Sequence, residues 1–103
     1  MARYRAAVIG CGGRSHAHIR ASQALEDVEV VACCAPTPTR RDKVAAQYGL
    51  RAYADPAEML QAEKPDLVHI VTWPDTRVEL MSLVSDFGVP ACTVEKPIAV
   101  GVR

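Results

Sequence analysis

Short apolar runs alternate with amphipathic stretches along the whole chain, and glycine, proline and capping residues mark the joins. Tyr4 to Ile9 predicts a strand that runs into Gly10-Cys11-Gly12-Gly13. A helix follows from about Arg14 to Leu25, with Ala17, Ala21, Ala24 and Leu25 on one face at helical spacing. Val28 to Cys34 is almost wholly apolar and predicts a second strand. Thr37 is placed to cap the next helix, with Pro38 in its first turn, where a missing N–H costs nothing. That helix should bury Val44, Ala45 and Tyr48 and stop at Gly49. A short strand is expected near Leu50 to Tyr53. Asp55-Pro56-Ala57-Glu58 then reads as an N-cap, a first-turn proline and a capping-box glutamate, opening a small helix that carries Met59 and Leu60. Leu67 to Val71 predicts a fourth strand. The last helix spans about Asp75 to Phe87, with Leu80, Leu83, Val84 and Phe87 as its stripe and Gly88 as its stop; Ala91 to Val94 predicts a fifth strand.

About five strands separated by helices imply an α/β domain: a parallel sheet with right-handed crossovers, in three αβα layers. In the doubly wound Rossmann arrangement, the ligand crevice lies outside the carboxyl ends of the strands, where strand order reverses. A chain of 103 residues is read as one domain, 1–103, with a sheet incomplete at its C-terminal end for want of a sixth strand. The open sheet edge favours self-association into homo-oligomers.

Composition narrows the function. Half of the residues are hydrophobic and only 5% are aromatic, which suits helices packed on a buried parallel sheet. Twelve basic residues balance 12 acidic ones, so no global field favours nucleic acid or an anionic membrane. No apolar run is long enough to span a membrane, and no signal-peptide core precedes the first strand, so a cytoplasmic location is expected. Cys11, Cys33, Cys34 and Cys92 form no C-x-x-C and have no histidine at zinc-ligand spacing, so no metal site is expected. Cys33, Cys34 and Cys92 lie in apolar strand-like runs and read as small buried hydrophobes, with the first two on opposite faces. His16 and His18 diverge on a helix, and His69 reads as a hydrogen-bonded core residue.

The chemistry sits at the strand ends. Gly10-Cys11-Gly12-Gly13-Arg14-Ser15 fits G-x-G-x-x-G/A with serine last, a turn that cradles a dinucleotide. The first glycine permits the tight turn, the second lets backbone approach the pyrophosphate, and the last position needs a small residue for close helix–strand packing. The helix N-terminus adds free N–H groups and partial positive charge. An acid is expected about 20 residues on to hold the adenosine ribose, yet position 35 is Ala35. Without it, Thr37, Arg40 and Arg41 are candidates to bind a 2′-phosphate, which favours NADP over NAD and weighs against an S-adenosylmethionine enzyme. Glu95-Lys96-Pro97 places Lys96 at the crevice mouth, where a lysine can exchange a proton with a substrate hydroxyl.

Together these parts resemble the glucose–fructose oxidoreductase, inositol dehydrogenase and rhizopine-catabolism (Gfo/Idh/MocA) family through nearly the whole chain. The residues carrying the resemblance are Val8-Ile9-Gly10-Cys11-Gly12-Gly13-Arg14 with His18, Val30-Val31-Ala32, Ala54-Asp55-Pro56, Asp66 to Thr72, and Glu95-Lys96-Pro97. The resemblance implies an NAD(P)-dependent oxidoreductase acting on a hydroxyl of a sugar, cyclitol or related polyol. It places Lys96 near nicotinamide and substrate as the catalytic residue, with Glu95 and Pro97 beside it, and Thr72, Trp73 and Pro74 along the cofactor. It also implies a second domain that supplies the substrate pocket, so these residues alone are expected to bind cofactor without turning over a substrate. Ser15 replaces the usual glycine or alanine, Ala35 the usual acid, and Arg77 the histidine common after the proline turn. The other reading is a stand-alone, non-catalytic dinucleotide-binding module or a truncated remnant.

Overall fold

A computed structural model of the chain describes residues 4–11, 15–71 and 74–94. The expected alternation is present, as β1 (Tyr4–Ile9), α1 (Ser15–Gln23), β2 (Val28–Cys34), α2 (Pro38–Tyr48), β3 (Arg51–Tyr53), α3 (Pro56–Glu63), β4 (Leu67–Ile70), α4 (Pro74–Asp86) and β5 (Ala91–Val94). The five strands pair in parallel in the order β3-β2-β1-β4-β5. This is the Rossmann-like order, built outward from β1 on one side and then on the other.

The core explains the layering. Alternate β1 residues face opposite sides: Ala6 and Val8 pack with Ile19 of α1 and Val44 of α2, whereas Ala7 and Ile9 pack with Met59 and Leu60 of α3 and Val84 of α4. Helices α1 and α2 therefore cover one face and α3 and α4 the other. Within β2 the strict alternation breaks. The β1–β2 register slips between Ala6 and Ala7, which pair with Val30 and Ala32, so Val31 is the extra residue of a bulge. That is why Val30 and Cys33, three apart, share one face while Val31 and Ala32 both turn to the other. Cys33 and Cys34 then lie on opposite faces as expected.

Local signals act as the sequence implied at most ends. Gly49 (φ 69°) and Gly88 (φ 73°) follow α2 and α4 in left-handed conformations that suit glycine. The Asp55 carboxylate accepts from the Glu58 N–H at 3.3 Å, capping α3. Thr37 occupies the N-cap of α2, but its hydroxyl makes no capping bond.

Three expectations fail. Helix α1 ends at Gln23, and its buried face is Ser15, Ile19 and Ser22; Ala17, Ala21 and Ala24 are exposed, as is Leu25 at 56%. Residues 15, 19 and 22 repeat as a helical stripe centred on the one large apolar side chain, and that side chain outweighs four residues dominated by small alanines. Phe87 lies beyond the end of α4 and is 41% exposed, while Val84 takes the central core position at 2%. Cys92 is exposed, on the outermost strand of the sheet among the described residues. No helix among the described residues is long and apolar enough to cross a membrane.

A polar clamp closes the amino ends of the sheet. The Glu63 carboxylate, 3% exposed at the end of α3, accepts from Arg5 Nη2 at 2.7 Å, Arg51 Nη1 at 2.9 Å and the Tyr53 hydroxyl at 2.6 Å. Burial pushes the Glu63 carboxyl up, but the bonds from Tyr53 and Arg51 and the charges of Arg51 and Arg5 outweigh it and hold the group ionised. Both arginine side chains are largely in water, at 44% and 71% exposure, so their Coulombic share is discounted. Glu63→Gln removes the charge but keeps the volume, and is expected to lower unfolding free energy by about 2 kcal/mol. Urea midpoints of the two proteins at neutral pH measure it.

Candidate functional site

The carboxyl ends of β1, β2 and β4 are held level by backbone bonds that continue past the strands. The Gly10 N–H donates to the Cys34 carbonyl at 2.7 Å, the Ala35 N–H to Tyr53 at 3.1 Å, and the Val71 N–H to Ile9 at 2.8 Å. Strand order reverses at β1, since β2 and β3 lie on one side and β4 and β5 on the other. Gly10 and Cys11 follow β1 at this switch point. Gly10 has φ 113°, a conformation that a residue with a Cβ rarely adopts. Ser15 opens α1 and is fully buried, which fits the need for a small residue where helix and sheet pack closely. Gly12, Gly13 and Arg14 lie outside the described residues, as do Thr72, Trp73, Glu95, Lys96 and Pro97. Pro74 begins α4, which also contains Arg77.

The segment after β2 separates its candidates. Ala35 is 5% exposed, and its methyl joins the core cluster with Cys11, Cys33 and Val44. Thr37 and Arg40 are exposed. Arg41 folds back over the strand end, where Nη1 donates to the Ala35 carbonyl at 3.1 Å and to the Pro36 carbonyl at 3.4 Å. A guanidinium is thus fixed beside the position where an acid would otherwise stand. Of the two adjacent arginines, Arg41 alone is held there.

Cys11 is 7% exposed, with Sγ 3.8 Å from the Cys34 carbonyl. Cys33 shares the same core cluster, and its Sγ lies 3.7 Å from the Arg41 carbonyl. The neighbouring Cys33 thiol outweighs burial and, with the charge of Arg41, holds the Cys11 thiol below its ordinary range. The nearness of Cys11, with burial, pushes Cys33 up. Cys34, buried on the other face, is pushed up to about 12 by burial first and by Cys11 second.

The histidines sit on the α1 side of the sheet. His69 is 7% exposed; its Nε2 lies 2.7 Å from the Ser22 hydroxyl of α1, and its Nδ1 lies 2.6 Å from the Thr93 hydroxyl of β5. His69 and Thr93 are register partners, so their side chains share a face. The His18 ring lies 5.3 Å from that of His69. Burial first, and the charge of His18 second, lower the His69 pKa to about 4. His16 Nδ1 meets the Tyr48 hydroxyl at 2.7 Å, tying α1 to α2. Among the described residues no group of three or more His, Cys, Asp or Glu is placed to hold a metal ion. Sequence reasoning anticipated a bonded His69 but not Ser22 or Thr93, because only the β4–β5 register and the true buried face of α1 bring them together.

Comparison with known proteins bears on the same residues. The profile of the GFO_IDH_MocA family, "Oxidoreductase family, NAD-binding Rossmann fold", matches residues 4–103. The chain is 36% identical to D-apiose dehydrogenase of Paraburkholderia graminis over 98 residues, which cover 94% of this chain and 26% of that protein. It superposes on an oxidoreductase from Agrobacterium radiobacter, solved in complex with NAD+, L-tartaric acid and magnesium, with a TM-score of 0.87 and 28% identity. That match covers 95% of this chain and 29% of the solved one. The WlbA dehydrogenase from Bordetella pertussis, solved with NADH and UDP-GlcNAcA, gives a TM-score of 0.87 at 26% identity, over 94% of this chain and 30% of its own. The chain thus spans less than a third of the length of each of these relatives. With the family profile matched over almost its whole length, and the sheet order in place, the chain belongs to the Gfo/Idh/MocA oxidoreductases and carries their NAD-binding Rossmann fold.

Proposed function

We propose that this chain is the dinucleotide-binding domain of an enzyme that moves hydride between a nicotinamide cofactor and a CH–OH group of a sugar, cyclitol or related polyol. The carrying observation is Gly10, at φ 113°, at the switch point of the sheet in a chain of this family. The donor set suits a dinucleotide: Gly10 to Ser15 would hold the pyrophosphate, with Ala35, Thr37, Arg40 and Arg41 bordering the adenosine ribose. Thr72, Trp73, Pro74, Glu95, Lys96 and Pro97 would border the nicotinamide. The bound nicotinamide supplies the hydride donor or acceptor. Lys96 exchanges the hydroxyl proton, a contribution of about 10²–10⁴-fold. The substrate pocket belongs to residues outside 1–103, in keeping with the greater length of the relatives. The name of D-apiose dehydrogenase, the relative 36% identical, supports a sugar-like substrate.

The relatives solved with cofactor hold NAD+ and NADH. At this chain the chemistry after β2 favours the 2′-phosphorylated form, because Ala35 offers no carboxylate and Arg41 sits at the strand end. Calorimetric titration of NAD(H) and NADP(H) tests both parts of the reading. Binding of neither, up to millimolar concentrations, overturns the dinucleotide assignment. Arg41→Ala is expected to weaken NADPH by about 10- to 100-fold, the value of a charge-assisted phosphate bond, while NADH changes little. Equal or tighter NADH binding by the unmodified chain overturns the preference.

A further inference from the structure

His69 has no part in the function proposed above, yet both of its ring nitrogens are committed, and to different elements. Nε2 lies 2.7 Å from the Ser22 hydroxyl in the last turn of α1, and Nδ1 lies 2.6 Å from the Thr93 hydroxyl of β5. Helix α1 joins β1 to β2 and packs on both, whereas His69 and Thr93 lie on β4 and β5, across the reversal of strand order. The three side chains therefore bridge the switch point, across which a doubly wound sheet binds a dinucleotide. We propose that His69 is a positioning residue that, with Ser22 and Thr93, braces α1 against β5 and holds the pyrophosphate and nicotinamide sides of the cofactor site at a fixed spacing. This role rests on the dinucleotide reading of the chain.

The brace answers a weakness in how α1 is held. The buried face of this helix is Ser15, Ile19 and Ser22, so one large apolar side chain anchors nine residues. Apolar burial is non-directional and lets a helix pivot about a single contact, whereas a hydrogen bond in the last turn fixes its direction. Strand β5 is tied to β4 by backbone pairing of Leu67–Ile70 with Ala91–Val94, but that pairing does not reach α1. His69 and Thr93 are register partners on the α1 side of the sheet, so one imidazole meets both hydroxyls. Burial, helped by the His18 ring 5.3 Å away, keeps the imidazole neutral. One nitrogen then donates and the other accepts, and each hydroxyl takes the complementary role.

A ligand that occupies only the adenosine and phosphate side is indifferent to that spacing. A whole dinucleotide is not. Its second half binds as an intramolecular event, and the gain depends on both subsites standing where one ligand reaches them together. A loosened brace therefore weakens the whole cofactor and spares its fragment. Two neutral hydrogen bonds that act as one unit are worth about 10-fold in affinity.

Calorimetry on the whole chain tests the brace, with NADH against ADP and NADPH against 2′,5′-ADP as probes. Thr93→Val keeps the volume and removes the hydroxyl. It should weaken both dinucleotides about 10-fold while both fragments change less than about 2-fold. Thr93→Ser keeps the hydroxyl and should retain the dinucleotide affinity. Ser22→Ala should match Thr93→Val, and the double variant should bind no more weakly than either, because breaking one arm already releases the brace. Should Ser22→Ala not fold, the two Thr93 variants decide alone. Equal losses for dinucleotide and fragment, additive losses in the double variant, or a Thr93→Val chain that binds like the unmodified one each overturn the brace. An unmodified chain that binds the fragments as tightly as the dinucleotides overturns the brace but not the functional reading. An unmodified chain that binds neither overturns both.

Discussion

Gly12→Val is expected to abolish binding of NAD(H) and NADP(H) alike. On the proposed function, the segment between β1 and α1 would let backbone N–H groups reach phosphate oxygens, and a side chain at its second glycine would fill the space the pyrophosphate must enter. The loss should be nearly complete because the phosphate bonds are charge-assisted and are made together, so displacing the pyrophosphate breaks them together. Gly10→Val makes the informative contrast. At φ 113° a β-branched residue is strained by about 1–3 kcal/mol, so that variant should lose stability as well as binding. Thermal unfolding combined with calorimetry separates the two: both should fail to bind, and Gly10→Val should also melt earlier. Binding by Gly12→Val within a few-fold of the unmodified chain would sink the assignment of the turn.

The fold was legible because its signals are local and mutually consistent. Apolar runs of strand length, caps such as Asp55, and stops such as Gly49 and Gly88 each act within a few residues of themselves. The order β3-β2-β1-β4-β5, with its reversal at β1, is that of the doubly wound arrangement. What the sequence misled on was which side of an element is buried. In α1 the alanines look like a buried stripe, but a methyl gains little from burial compared with Ile19, so the helix rotates to favour Ile19 and leaves three alanines in water. Phe87 and Cys92 belong to apolar patterns but sit just past a helix end and on the outermost described strand, positions that depend on neighbours rather than on pattern.

The candidate site was legible only in part, and for a related reason. The glycine pattern and the missing acid at Ala35 are properties of single short segments, and the structure places Gly10 and Ala35 at the carboxyl ends of adjacent strands. The distinction between Arg40 and Arg41 is not: it depends on the phase of α2 relative to the end of β2, which puts one guanidinium over the Ala35 carbonyl and leaves the other exposed. The Glu63 clamp joins residues 5, 51, 53 and 63, and the bulge at Val31 is what turns Cys33 toward the α1–α2 face. Such groupings come from register, which pairs residues far apart in sequence and leaves no mark on either segment.

His69 should make the chain lose about 3 kcal/mol of stability, beyond the contribution of its other groups, between pH 6.5 and pH 4. The sign follows from the direction of the shift. In the unfolded chain the ring takes a proton near pH 6.5, its ordinary value, whereas in the folded chain it stays neutral until about pH 4. The unfolded state therefore binds more protons throughout that window, so the stabilising contribution is complete above pH 6.5 and is lost as the pH falls through the folded value. The cause is first the burial of the ring between α1 and the sheet and then the nearby His18, whose charge opposes a second one 5.3 Å away. A neutral imidazole is well served where it is, since one ring nitrogen donates and the other accepts while the Ser22 and Thr93 hydroxyls take either role. His69→Gln supplies a donor and an acceptor but cannot titrate, so the two proteins differ in this proton even if the variant is less stable overall. Urea midpoints measured from pH 7 to pH 4 should fall more steeply for the unmodified chain, and the gap between the curves should narrow as the pH drops. Parallel curves would show that His69 protonates freely in the folded state, and that the packing of α1 against β4 opens to water at little cost.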